Sequence, residues 1–195
     1  MPAGIAALIV TLQPILTNLL SGPILNEKVS IKQWIGAFLG FTGAVLVLGL
    51  DLGSKIPLLG FTATLIALIA ITTSTIWQKK LSNNLPLSVS NFYQAIGGCF
   101  FHILIVIFFT EALIYFSPTF LIAMSHQVFL VSFGAFTILM FLIKKNSASK
   151  TVSMFFLIPA VSAFMGWFFL NEILTIVDII GFFIATIGVY IATKK

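Results

Sequence analysis

Gln13, Asn18, Asn91, Gln94 and His102 are the side chains of this chain whose type and setting could do chemistry, because each stands inside a long apolar run. A polar group held away from water must find a partner or line a cavity, so each is a site hypothesis. Asn91 and Gln94, three apart, share one helix face, and His102, eight beyond Gln94, falls near it. Imidazole titrates at about pH 6.5, so His102 could relay a proton. The competing reading is a neutral ring bonded to a nearby backbone carbonyl. Trp77 stands in a polar run with Thr72, Thr73, Ser74, Thr75 and Gln78, and offers a surface on which a solute could stack. Its competing role, shared with Trp34 and Trp167, is that of an interfacial anchor. The hydroxyls are expected to bond back to their own helices. No carboxylate or arginine accompanies these groups inside a run, so they suit an apolar or zwitterionic solute better than strong ion coupling.

Other chemistries lack their residues. There is no glycine-rich phosphate loop, no His/Cys/Asp cluster with metal-ligand spacing and no nucleophile elbow. The five acids, Glu27, Asp51, Glu111, Glu172 and Asp178, are too scattered to pair. No enzyme, metal or cofactor is expected. Cys99 is the single cysteine, so no intrachain disulfide can form. The net charge of +5 comes from ten lysines without an arginine. They lie between apolar runs and report orientation, so no nucleic-acid partner is expected.

The elements that must position these groups follow from composition. Hydrophobic residues make up 59% of the chain and charged ones 8%, and the mean hydropathy is +1.16. A soluble domain carries roughly 25% charged residues. Lipid is therefore the solvent, and the class is an all-α integral membrane protein, since an open strand would leave backbone groups unpaired in hydrocarbon. A span needs about 20 apolar residues. Seven stretches meet this, at about 4–25, 31–50, 57–77, 88–110, 127–143, 151–170 and 175–193. The fifth is the least defined, because 111–126 reads equally as a loop or an interfacial helix.

With the gaps between spans assigned alternately to the two sides, Lys28, Lys32, Lys79, Lys80, Lys144, Lys145, Lys150, Lys194 and Lys195 all share one side, and only Lys55 lies opposite. The positive-inside rule makes that side cytoplasmic. The expectation is a multi-pass protein of the cell (inner) membrane with a cytoplasmic C-terminus. The N-terminal "MPAGIAALIV" lacks the basic start of a signal peptide and is read as a retained span.

The stretches "LNEKVSIKQWIGAFLGFTGA" (25–44) and "LNEILTIVDIIGFFIATIGV" (170–189) align without a gap at an offset of 145 residues. The register matches Pro14 with Pro159, Asn26 with Asn171, Glu27 with Glu172, Gly36 with Gly181 and Gly43 with Gly188. Five spans separate Glu27 from Glu172, an odd number, so the two copies face opposite sides: an inverted repeat. Each proline removes a helix hydrogen bond inside a span and is expected to loosen the backbone there. Glu27 and Glu172 read as interfacial caps favouring the N-terminus of the next helix, or else as gating carboxylates. The glycines form small-xxx-small pairs, expected to pack helices within the bundle, with dimerisation as the alternative.

The stretches "AALIVTLQPILTNLLSGPILNEKVSIKQWIGAFLGFTGAVLVL" and "MFFLIPAVSAFMGWFFLNEILTIVDIIGFFIATIGVYI" resemble the ends of the two repeat units of the drug/metabolite transporter superfamily, EamA type. The resemblance rests on a proline within a span, a glutamate at its end and a glycine-bearing span after it. It implies two inverted five-helix units that move small organic solutes, such as amino acids, metabolites or drugs, by alternating access, with export as the expected direction. Residues 1–50 would be the C-terminal part of the first unit, its last two helices, and 57–195 the complete second unit. About three N-terminal helices of the family pattern are not in this sequence. The alternative is a non-transporting membrane subunit or truncated fragment that needs a partner for those helices. The expected partners are the lipid bilayer and a small organic solute, with a homodimer or a helix-supplying partner left open.

Overall fold

The computed structural model describes residues 3–49, 57–82, 85–109, 115–171 and 173–194, and what they form is helix and short turns. In chain order the helices are α1 (Ala3–Val10), α2 (Gln13–Leu25), α3 (Ile31–Leu48), α4 (Leu58–Ser82), α5 (Leu87–Phe109) and α6 (Pro118–Ser125). A π-helical segment, His126–Ala135, leads into α7 (Phe136–Lys145). Then come α8 (Ala148–Ser153), a 3₁₀ turn at Met154–Phe156, α9 (Leu157–Leu170) and α10 (Ile176–Thr193). Among the described residues, seven helical stretches are long and apolar enough to cross a membrane, the number expected. Large apolar side chains such as Phe38, Phe100, Phe108 and Phe183 point outward, while Gln13, Thr17, Asn18, Ser21 and Gln33 are buried. That inversion of the soluble pattern is what lipid as solvent requires.

Residues 1–80 with 146–195 form one compact unit, and 81–145 form another. In the first unit the 145-residue offset is written into local geometry. Helices α3 and α10 begin and end at equivalent positions. Each follows an asparagine in the left-handed region, Asn26 with φ 55° and Asn171 with φ 54°. Both helices open with a capping box, Ser30 with Gln33 and Thr175 with Asp178. Asparagine tolerates the left-handed cap that ends a helix sharply, and the hydroxyl then satisfies an orphan N–H at the next start.

Helices α3 and α10 run antiparallel and touch backbone to backbone. A β-carbon on Gly43 would fall 2.5 Å from the Ala185 nitrogen and 2.6 Å from the Gly181 oxygen; one on Gly36 would fall 2.6 Å from the Ala192 nitrogen. The glycines therefore pack within the bundle, the first of the two expectations. Phe156 fills the notch that Gly40 leaves, on a core with Ala37 and Val189.

Several boundaries differ from expectation. The fifth span is not 127–143: helix begins at Pro118 and runs 28 residues to Lys145, because the Ser117 side chain caps it and Pro118 occupies its first turn. That cap-and-proline pair is a helix start signal, not a loop. The third span continues through Lys79 and Lys80 to Ser82, since long basic side chains extend to the interface while their stems stay on the helix. Within the two spans that hold Pro14 and Pro159 the regular helix is interrupted close to each proline. The chain turns at Thr11–Leu12, ahead of Pro14, and tightens at Met154–Phe156, ahead of Pro159. Each proline stands in the first turn after the break, and lacks the N–H that would have bonded back across it in an unbroken span.

In the second unit, α5 packs against α7, and the Lys144 ammonium donates to the Leu85 carbonyl at 3.4 Å. The π segment is bonded i→i+5, as in the Phe136 N–H to the Val131 carbonyl.

Candidate functional site

The two interrupted helices of the first unit, α1–α2 and α8–α9, face a cavity of about 400 Å³. Thr11, Gln13 and Ile71 contribute to its wall, with Phe155, Pro159 and Ser162 from the other copy of the repeat. Thr11 donates to the Ala7 carbonyl at 2.6 Å, and the Gln13 amide donates to the Thr75 hydroxyl at 3.1 Å. Thr75 in turn donates to the Ile71 carbonyl at 2.8 Å. The wall is therefore mainly apolar, with carboxamide and hydroxyl groups at the helix breaks. Such a wall can hold a neutral or zwitterionic organic solute by a few hydrogen bonds and shape.

Asn18, expected beside Gln13, is instead part of a buried knot. The Ser149 hydroxyl donates to the Asn18 carboxamide oxygen; the Asn18 amide donates to the Gln33 carbonyl at 3.4 Å; the Gln33 amide donates to Ser149 at 3.0 Å. Gln33 also accepts from the Ser30 N–H at 2.7 Å, closing its capping box. Every buried side-chain nitrogen and oxygen among the described residues has a partner. Gln33 and Ser149 escaped the sequence reading because each looks like an ordinary residue of a helix start. Only their separation of 116 residues in the chain, closed in space, reveals the knot.

Glu27 does not serve the next helix, as the cap reading had it, because Ser30 already caps α3. Its carboxylate reaches the start of α8, accepting from the Ala148 N–H at 3.1 Å. Lys79 stands by, donating to the Asn146 carbonyl at 2.6 Å. Burial raises the Glu27 carboxyl above its ordinary 4.5, against the lowering pull of the Ala148 N–H, the Lys79 charge and the Ser149 N–H. The folded state thus binds this proton more tightly than the unfolded chain, so this group's contribution to stability falls as pH rises from the ordinary value through the raised one. Glu27→Gln is expected to match the parent in acid and to be the more stable of the two at neutral pH. Melting curves of the detergent-purified protein across about pH 4.5–7.5, a range that rises from the ordinary 4.5, test this; parallel curves would refute it. Glu172, the repeat-related carboxylate, lies outside the described residues.

Trp77 is about half exposed, with the Lys80 ammonium 5.6 Å from its ring, and does not line the cavity. In the second unit, Asn91 and Gln94 both line a groove, and the Gln94 amide donates to Ser90 at 3.3 Å. His102 is exposed, and its Nδ1 donates to the Gly98 carbonyl of its own helix at 2.7 Å. The structure thus gathers Gln13 at the cavity, Asn18 in the knot, and Asn91 with Gln94 at the groove, while Trp77 and His102 line neither the cavity nor the groove. Among the described residues, no three His, Cys, Asp or Glu side chains are grouped so as to hold a metal ion.

Inverted, glycine-packed membrane helices, with broken helices around a polar-flecked cavity, are the architecture of secondary transporters. The chain belongs to the EamA-like transporter family, whose pattern matches residues 1–49 and 58–194. It is 27% identical over 206 residues to the uncharacterized transporter YvbV of Bacillus subtilis (strain 168), matching 100% of this chain and 64% of that one. It thus spans just under two thirds of that relative's length. An uncharacterized transporter of Archaeoglobus fulgidus is 24% identical over 197 residues, covering 99% of this chain and 68% of its own. A probable amino-acid metabolite efflux pump of Salmonella typhimurium is 31% identical over 87 residues, 44% of this chain and 29% of its own. A protein known by crystal structure shares the fold with a TM-score of 0.83 at 19% identity, over 99% of this chain and 68% of that one.

Proposed function

We propose that this chain is the working core of a carrier that exports small organic solutes, amino-acid metabolites among them, across the cell membrane. Residues 1–50 act as the end of one repeat and 57–195 as its inverted counterpart, with the C-terminus in the cytoplasm. The antiparallel α3–α10 pair is the fulcrum, and the two hairpins rock about it to open the Gln13 cavity to each side in turn. Glu27, held on the start of α8, is the latch at the lysine-rich, cytoplasmic end. The observation that carries the reading is one cavity walled by both broken helices of an inverted pair. The efflux role in the name of the Salmonella typhimurium relative supports the direction.

Reconstitution into liposomes with a panel of labelled amino acids and neutral amphiphiles tests it. Saturable flux is expected, and Gln13→Leu should lower it about ten-fold or more without unfolding the protein, because Thr75 keeps its bond to Ile71. A folded protein that carries no member of the panel above the leak of empty liposomes would refute it. One-sided labelling of cysteines placed at 28 and 173 in intact cells tests the geometry, since the two positions must react from opposite compartments.

A further inference from the structure

The second unit holds a groove that the transport reading does not use. It consists of two adjoining pockets, of about 520 and 300 Å³, which share Asn91, Ala95 and Ser132 in their walls. On the α5 side stands the Asn91 carboxamide, and opposite it stand the hydroxyls of Ser132 and Thr137. Phe92 and Phe133 line the rest. In an α-helix, residues five apart point roughly 140° away from each other, at about 100° per residue. The i→i+5 bonding of His126–Ala135 winds the chain more widely and narrows that divergence, and Ser132 and Thr137 both line one groove. The Ser132 hydroxyl donates to the Gln127 carbonyl at 3.2 Å, five residues back, leaving its lone pairs to accept. No hydrogen bond to the Asn91 carboxamide or the Thr137 hydroxyl is seen among the described residues. A carboxamide inside a membrane-spanning helix calls for a partner.

We propose that this groove binds an uncharged amphiphile, its amide, ester or hydroxyl head on Asn91, Ser132 and Thr137 and its apolar body along Phe92 and Phe133. The wall carries no ionisable side chain, which selects against charged heads: a charge here would be desolvated without a counterion. The three polar groups can both donate and accept, which matches an amide head at both its N–H and its carbonyl. The site shares no lining residue with the Gln13 cavity and stands whether or not the chain transports.

A photoreactive N-decyl amide with a diazirine on its alkyl chain tests this with the purified, detergent-solubilised protein. Label is expected on the peptides holding Asn91 and Ser132, displaced by excess N-decylacetamide but not by decyltrimethylammonium or decyl sulfate. Asn91→Leu should reduce the protected labelling about five-fold, the size of one neutral hydrogen bond. Where that variant does not fold, Thr137→Val, a hydroxyl-for-methyl exchange on an exposed helix surface, carries the same test. Labelling spread over the apolar end of α5 without regard to Asn91 would overturn the proposal, as would equal displacement by the charged amphiphiles. Because binding is read without flux, failure here and failure of the liposome experiment are told apart.

Discussion

Gly43→Val is expected to break the α3–α10 contact and lower the melting temperature more than any other single change considered. The new side chain would start 2.5 Å from the Ala185 nitrogen and 2.6 Å from the Gly181 oxygen, and both are backbone atoms that no rotamer change can move. The opposing surface is equally bare, since a β-carbon on Gly188 would lie 2.5 Å from the Gly40 nitrogen. In lipid no hydrophobic force presses helices together, so close packing of this kind is the main source of cohesion. Overpacking costs about 1–3 kcal/mol where side chains can adjust. Here the helices themselves must part, and a loss of about 3 kcal/mol or more is expected. That corresponds to roughly 6 °C or more for a chain of this size. Gly98→Val is the control, because nothing lies within 4 Å of its added β-carbon. Equal melting temperatures for the two variants, measured by thermal aggregation in detergent, would refute the account.

The second large effect is expected at Asn18. In Asn18→Leu the buried Ser149 hydroxyl loses its acceptor and the Gln33 carbonyl loses a donor. An unsatisfied buried group costs about 1–3 kcal/mol. Hydrogen bonds between membrane helices often measure about 0.6 kcal/mol, since partly unfolded chains in lipid find other partners. Asn18 and Ser149 are enclosed by protein rather than lipid, which favours the larger figure, and a loss of about 1–2 kcal/mol is expected. The double variant Asn18→Leu with Ser149→Ala should recover part of that loss, because removing both partners leaves less stranded. Simple additivity of the two single losses would show that the knot does not couple the two copies of the repeat.

The hairpins were legible before any coordinates. Asn26 and Asn171, Gly36 with Gly181, and Gly43 with Gly188 recur in one register, and each asparagine ends a helix in the same left-handed turn. Such features act over a few residues, so a repeat in the letters becomes a repeat in the geometry. The Ser117–Pro118 start is equally local, but Glu111 and His126 on either side of it make 111–126 look like a loop. The π segment had no such signal: an apolar run reads alike at 3.6 residues per turn or at a wider spacing. The site was legible only residue by residue. Gln13 stood out as a polar group in lipid, yet its partner Thr75 lies 62 residues away.

By itself the sequence determined the solvent, the number of spans and the inverted pairing of two hairpins. Those depend on hydrophobic content, short-range caps and the parity of crossings, all properties of the letters in order. The tertiary structure alone decided that Glu27 serves α8, that Asn18 is tied to Ser149 and that Ser132 and Thr137 line one groove. Those depend on distances between helices and on the winding of one of them. Side chains in lipid are chosen for being apolar, so the apolar letters between them hold little record of which neighbour each will meet.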